Sequence, residues 1–186
     1  MHGLDVAIFH WINRWPEQWA PVFIGFSEGN KTWPVRILFL VVFVTCVWTS
    51  RLRRAAIVGV VAWLASDTLC SFLKSGFKVL RPSVELVPDV IVRVEGGLGY
   101  GTASAHAAST MAIATAFMLV DRRLGFVWLF VSLMTGLARI NVGVHYPSQV
   151  LLGWCLGALV AFGLYRLSLR LWPEKPKVSE SPQEAA

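Results

Sequence analysis

Apolar residues in this chain arrive in long blocks rather than in the short alternating runs of a water-facing fold. The blocks lie at about 34–50, 55–73, 104–120, 124–140 and 147–172. At about 1.5 Å of rise per residue, each is long enough to cross most or all of a hydrocarbon layer about 30 Å thick. Residues 4–28 are apolar overall but interrupted by Arg14, Pro16 and Glu17, a pattern that fits either a span or an interfacial segment. The pattern predicts an all-α, polytopic transmembrane bundle of about six membrane helices. Residues 1–172 form its single domain. Residues 173–186, rich in Pro, Glu, Lys, Ser and Gln, read as a flexible tail.

Composition sharpens this reading. Of the 186 residues, 55% are hydrophobic and only 15% charged, with a mean hydropathy of +0.58. A soluble domain carries about a quarter charged residues. Nine tryptophans suit a protein with two headgroup-level belts. The net charge of +6 is scattered over short segments between blocks, with no basic stripe interleaved with aromatics, so nucleic acid is not an expected partner. Cys46, Cys70 and Cys155 show no paired spacing and read as small core residues rather than a disulfide or zinc framework. The first twenty residues lack a basic start and a small-residue cleavage site, so no removable signal peptide is expected.

Basic residues also set an orientation. Arg51, Arg53 and Arg54 follow the second element, Arg122 and Arg123 the fourth, and Arg166, Arg170, Lys175 and Lys177 close the last. If the elements alternate, these groups share one side, which the positive-inside rule makes cytoplasmic. Segments 74–103, 139–147 and the turn near 27–33 then face the other side of a cell (inner or plasma) membrane.

That extracytoplasmic side holds the unusual residues. Lys74 is followed after six residues by Arg81-Pro82; Ser104-Ala105-His106 opens a helix after a glycine-rich stretch at 96–101; Arg139 is followed by His145 and Gln149. Three cations and two imidazoles suit a phosphate ester or diphosphate. Arginine forks grip phosphoryl oxygens bidentately and lysine adds a point charge. A helix start adds free N–H groups and a positive dipole end. Of two histidines, one can attack phosphorus while the other protonates the departing oxygen.

The motifs K-x6-RP (Lys74 to Pro82), S-x-H (Ser104, His106) and R-x5-H (Arg139, His145) occur in the order and spacing of the type 2 phosphatidic acid phosphatase family, which this chain resembles over about residues 55–165. The resemblance implies a membrane lipid phosphatase that uses a phosphohistidine intermediate and neither metal nor cofactor. It implies His145 as nucleophile and His106 as general acid. Lys74, Arg81, Ser104, Ala105 and Arg139 then hold the phosphoryl group. Among substrates it favours undecaprenyl diphosphate, then phosphatidylglycerol phosphate, then a lipid A phosphate or phosphatidic acid. The oligomeric state is left open.

The chain departs from the family at three places. Ala103 and Ala105 stand in the usual P-S-G-H motif, Ala138 precedes Arg139 where serine is common, and Gln149 replaces the aspartate that orients the nucleophilic histidine. Glutamine accepts the same hydrogen bond without the charge. Either the protein is slow, or a carboxylate such as Asp89 or Glu95 compensates. A weakened family member that binds or transports phosphorylated lipids is the alternative. Gln149 also suits a helix cap behind Pro147. Asp67, inside the third element, is an intramembrane carboxylate on nearly the face of Lys74, and fits an ion pair or a catalytic role.

Overall fold

A computed structural model describes residues 2–95 and 99–173. The chain runs α1 (His2–Asn13), α2 (Ala20–Glu28), α3 (Trp33–Trp48), α4 (Arg53–Phe77), the single turn α5 (Pro82–Glu85), α6 (Ala105–Met118), α7 (Arg122–Asn141) and α8 (Pro147–Leu171). Among the described residues no strand forms, only an isolated bridge between Leu80 and Tyr100. The fold is the all-α membrane bundle that the apolar blocks predict. All but one residue of the tail at 173–186 lies outside the described residues, as do residues 96–98 of the glycine run.

The N-terminal stretch is not one rod. Proline cannot continue a helix hydrogen-bond ladder, and at Pro16 the chain breaks between α1 and a 3-10 turn at Glu17–Trp19 that leads into α2. α4, α7 and α8 are each long and apolar enough to cross a membrane, and segment Glu17–Lys31 with α3, bent by 66° against each other, qualifies as a fourth span. α6 has 14 residues, about 21 Å at the usual rise. It is shorter than a bilayer core and enclosed by α4, α7 and α8.

α6 can be enclosed because its partners are small. A Cβ on Gly153 would sit 2.5 Å from the Ser104 carbonyl oxygen, and one on Gly157 2.1 Å from that of Ala108. Spaced four apart on α8, these glycines let two backbones touch, the small-xxx-small device of membrane helices. The approach carries Ser104 to the start of α8, where its N–H donates to the Gln149 carbonyl at 2.9 Å.

The two ends of the bundle differ. At one, Arg51 pairs with Asp121 at 2.8 Å, and Arg54 reaches Ser168 and the Trp172 carbonyl. The loops after α3 and α6 and the end of α8 therefore meet there, as alternation requires. At the other end meet the loops that follow α4 and α7. Cys46 and Cys70 are buried, but Cys155 is exposed, which corrects the expectation of a third core cysteine. Its position on α8 turns outward where Gly153 and Gly157 turn in.

Candidate active site

His145 precedes α8 in the short connection from α7, and 2% of it is exposed. The turn that places it uses Gly143, whose φ is 87° and whose Cβ would meet the Ile91 carbonyl at 2.4 Å, so only glycine fits. Gln149 is the third residue of α8. Its side-chain oxygen lies 2.9 Å from Nδ1 of His145 and accepts from the Tyr146 N–H at 3.3 Å, while its NH2 donates to the Leu80 carbonyl at 2.9 Å. Because the amide nitrogen is committed to a carbonyl, the oxygen must face the ring and Nδ1 must carry the hydrogen. The lone pair of the neutral imidazole is then on Nε2. One glutamine both caps the helix and fixes the tautomer.

Burial holds His145 well below the ordinary histidine pKa. The guanidinium groups of Arg81 and Arg139 push the same way, the Gln149 hydrogen bond opposes them, and Lys74 adds a smaller push. The ring stays neutral at physiological pH.

The other motif residues gather around it. Arg81 caps α5 with extended backbone, and its Nε donates to the Tyr100 carbonyl at 3.0 Å. A Cβ on Gly101 would lie 2.6 Å from Arg81 Cγ and 2.9 Å from Gln149 Oε1. The last glycine of the run therefore admits both side chains, a role the sequence alone did not separate from general flexibility. Ser104 caps α6, its hydroxyl oxygen accepting from the Ala107 N–H at 3.4 Å. The N–H groups of Ala105 and His106 fall in the first turn, where a helix offers them no partner. Nε2 of His106 and Nε of Arg139 are both buried with no hydrogen-bond partner in the protein. Lys74, near the end of α4, is partly buried with Arg81 and Arg139 in electrostatic reach. The structure thus brings together Lys74, Arg81, Ser104, Ala105, His106, Arg139, His145 and Gln149.

The auxiliary carboxylates lie elsewhere. Asp89 and Glu95 are exposed, with no bond to His145, so neither stands in for the missing aspartate. Asp67 is exposed on α4, and no ion pair joins it to Lys74 among the described residues. The carboxylate that does enter the site is Glu28. Arg139 Nη1 donates to Glu28 at 2.9 Å and to Ser27 at 2.6 Å, and Lys31 pairs with Glu28 from outside. No periodicity marks Glu28, which lies 111 residues from Arg139; the assignment of the turn near 27–33 to the same face was its only trace. Beneath the site, buried Asn13 bonds to the carbonyls of Ile91 and Asn141, and Arg93 joins that network and Glu17. This ties α1 and the long loop to the end of α7. Among the described residues, no three His, Cys, Asp or Glu side chains converge as a metal site would require.

Known proteins are similar to this chain in sequence and in architecture. The chain is 26% identical over 168 residues to a bacitracin transport permease protein BcrC of Bacillus licheniformis, covering 87% of this chain and 79% of that one. It is 34% identical over 70 residues to an undecaprenyl-diphosphatase BcrC of Bacillus subtilis, and 30% over 125 residues to a lipid A 4'-phosphatase of Bacteroides thetaiotaomicron. Those matches cover 38% and 60% of this chain, and only 36% and 54% of the relatives' lengths. In fold, it superposes on Aquifex aeolicus LpxE with a TM-score of 0.73 at 20% identity, covering 88% of this chain and 95% of that one. A transmembrane PAP2-type phosphatidylglycerolphosphate phosphatase from Bacillus subtilis gives 0.72 at 15%, covering 94% and 89%. The PAP2 superfamily model matches residues 54–173, well over half of the sequence, and the chain therefore belongs to the PAP2 superfamily.

Proposed function

We propose that this chain is an integral membrane lipid phosphatase, with residues 1–172 acting as one catalytic domain that faces the extracytoplasmic side. The observation that carries the reading is the 2.9 Å contact between His145 Nδ1 and Gln149 Oε1. It turns the Nε2 lone pair of a neutral imidazole to the outside of that pair, as a nucleophile requires.

In the proposed reaction, His145 Nε2 attacks the terminal phosphorus while Lys74, Arg81, Arg139 and the free N–H groups of Ala105 and His106, in the turn that Ser104 caps, hold its oxygens. The bond from phosphorus to the leaving oxygen breaks, its electron pair stays with that oxygen, and His106 supplies the proton. A water then gives its proton to His106 and displaces the imidazole. Inorganic phosphate leaves and both histidines are restored. An incoming phosphate dianion favours the protonated form of His106. The buried, unpartnered nitrogens of His106 and Arg139 support this placement, since a buried polar group without a partner is costly unless a ligand completes it.

Undecaprenyl diphosphate is the favoured substrate, supported by the undecaprenyl-diphosphatase among the relatives. Phosphatidylglycerol phosphate comes second. The second reading is a weakened member that binds or moves phosphorylated lipids, favoured by the missing aspartate charge at Gln149 and by the transport permease name of one relative. Phosphate release from a panel of lipid phosphates by detergent-purified protein separates the two. His145→Ala and His106→Ala are each expected to lose nearly all release while remaining folded. Release within a few-fold of the parent by either variant removes that histidine from its role.

A further inference from the structure

Lys31 takes no part in the hydrolysis described above, yet it stands against the site. It closes a 3-10 turn (Gly29–Lys31) after α2, and its ammonium pairs with the Glu28 carboxylate, which also accepts from Arg139 at 2.9 Å and from the Ser27 hydroxyl at 3.0 Å. One carboxylate therefore separates Lys31 from the buried guanidinium. The Lys31 side chain is 58% exposed. Rotations about its four-carbon stem can take the ammonium off Glu28, whereas Arg139 stays tied to Ser27 and Glu28.

The Lys31–Glu28–Arg139 chain of contacts leads from the surface into the site. Arg139, Glu28, Lys31 and Lys74 all lie in electrostatic reach of His106. Lys31 thus stands near the His106 side of the site. On the phosphatase reading, that is the side from which the leaving group departs.

What departs decides whether a cation there has work to do. A lipid monophosphate gives up an alcohol, neutral once protonated. A lipid diphosphate gives up a lipid monophosphate, whose non-bridging oxygens carry negative charge throughout the reaction. We propose that Lys31 forms a subsite for the phosphate retained on the lipid of a diphosphate substrate, and selects diphosphates over monophosphates. The inference rests on the phosphatase reading. On binding, the ammonium exchanges the Glu28 carboxylate for the second phosphate. Glu28 remains on Arg139, and the terminal phosphate occupies the cradle of Arg81, Arg139 and Lys74.

The test compares farnesyl diphosphate with farnesyl monophosphate on detergent-solubilised full-length protein, by calorimetric binding and, separately, by phosphate release. The parent is expected to bind the diphosphate more tightly. Lys31→Ala should lower that preference about tenfold, the scale of one charge-assisted contact, while Lys31→Arg keeps it within about threefold. A parent without the preference overturns the subsite, as does a Lys31→Ala variant that weakens both ligands alike. Turnover is scored independently of binding. A parent that discriminates through Lys31 yet releases no phosphate from either lipid overturns the phosphatase reading and leaves the subsite standing.

Discussion

The side-chain oxygen of Gln149 accepts from Nδ1–H of His145 at 2.9 Å, while the same amide donates to the Leu80 carbonyl at 2.9 Å. The second bond makes the first directional, because an amide anchored through its nitrogen can present only oxygen to the ring. A neutral residue thereby orients the ring, without the charge by which a carboxylate would stabilise an imidazolium.

Substitutions at Gln149 divide orientation from charge. Gln149→Ala removes both bonds and should lower kcat/KM about 10- to 100-fold, the usual cost of losing a group that orients a catalytic side chain. Gln149→Glu adds charge but sets a second carboxylate oxygen against the Leu80 carbonyl, so it should cost about 1–3 kcal/mol of stability. Gln149→Asp is shorter and escapes that clash; its turnover should equal or exceed the parent's. Steady-state kinetics with thermal unfolding of the three variants checks the order. An Ala variant equal to the parent in both would strip Gln149 of either role.

Gly101 lies against residues of two motifs, Arg81 and Gln149. A methyl there would press on Arg81 and Gln149 together. Gly101→Ala should lower kcat/KM about tenfold and destabilise by about 1–3 kcal/mol, as overpacking does. Gly163→Ala, which meets nothing within 4 Å, is the control. Equal rates for the two variants would show that the crowding has no functional consequence.

Acid should destabilise the protein through His145. Its folded-state pKa lies below the unfolded value because burial, Arg81 and Arg139 disfavour the cation. The unfolded chain therefore takes up a proton that the folded chain refuses. The contribution is fully present above about pH 6.5 and is lost as pH falls from there towards the folded pKa. Unfolding temperatures measured between about pH 7.5 and 5 should fall more steeply in the parent than in His145→Gln. Parallel curves would mean that His145 is not held neutral by its surroundings.

Chelators should leave activity intact. The cations Lys74, Arg81 and Arg139 already offer the positive charge that a metal supplies to phosphoryl oxygens elsewhere. Full loss of phosphate release in EDTA, restored by magnesium or zinc, would require a different mechanism.

Much of this molecule was legible in one dimension, for a physical reason. Hydrocarbon demands long apolar segments whose backbone bonds close internally, so the cores of α3, α4, α7 and α8 can be read from hydropathy alone. The motif residues stood out too, because cations and imidazoles are side chains that a membrane segment otherwise excludes. Arginine placement gave the alternation that the Arg51–Asp121 and Arg54–Trp172 contacts display.

Tertiary structure alone decided how these parts are held. Glu28 meets Arg139 because α2 packs on α7, and no local pattern announces a contact 111 residues long. The break at Pro16 was visible, but not that Asn13 would then anchor α1 to Asn141 and Ile91. Asp89 and Glu95, the carboxylates named from sequence as possible substitutes for the aspartate, are exposed. Side-chain identity fixes which charges a chain owns; the folded backbone fixes which of them share a low-dielectric site, and there a few ångströms decide the chemistry.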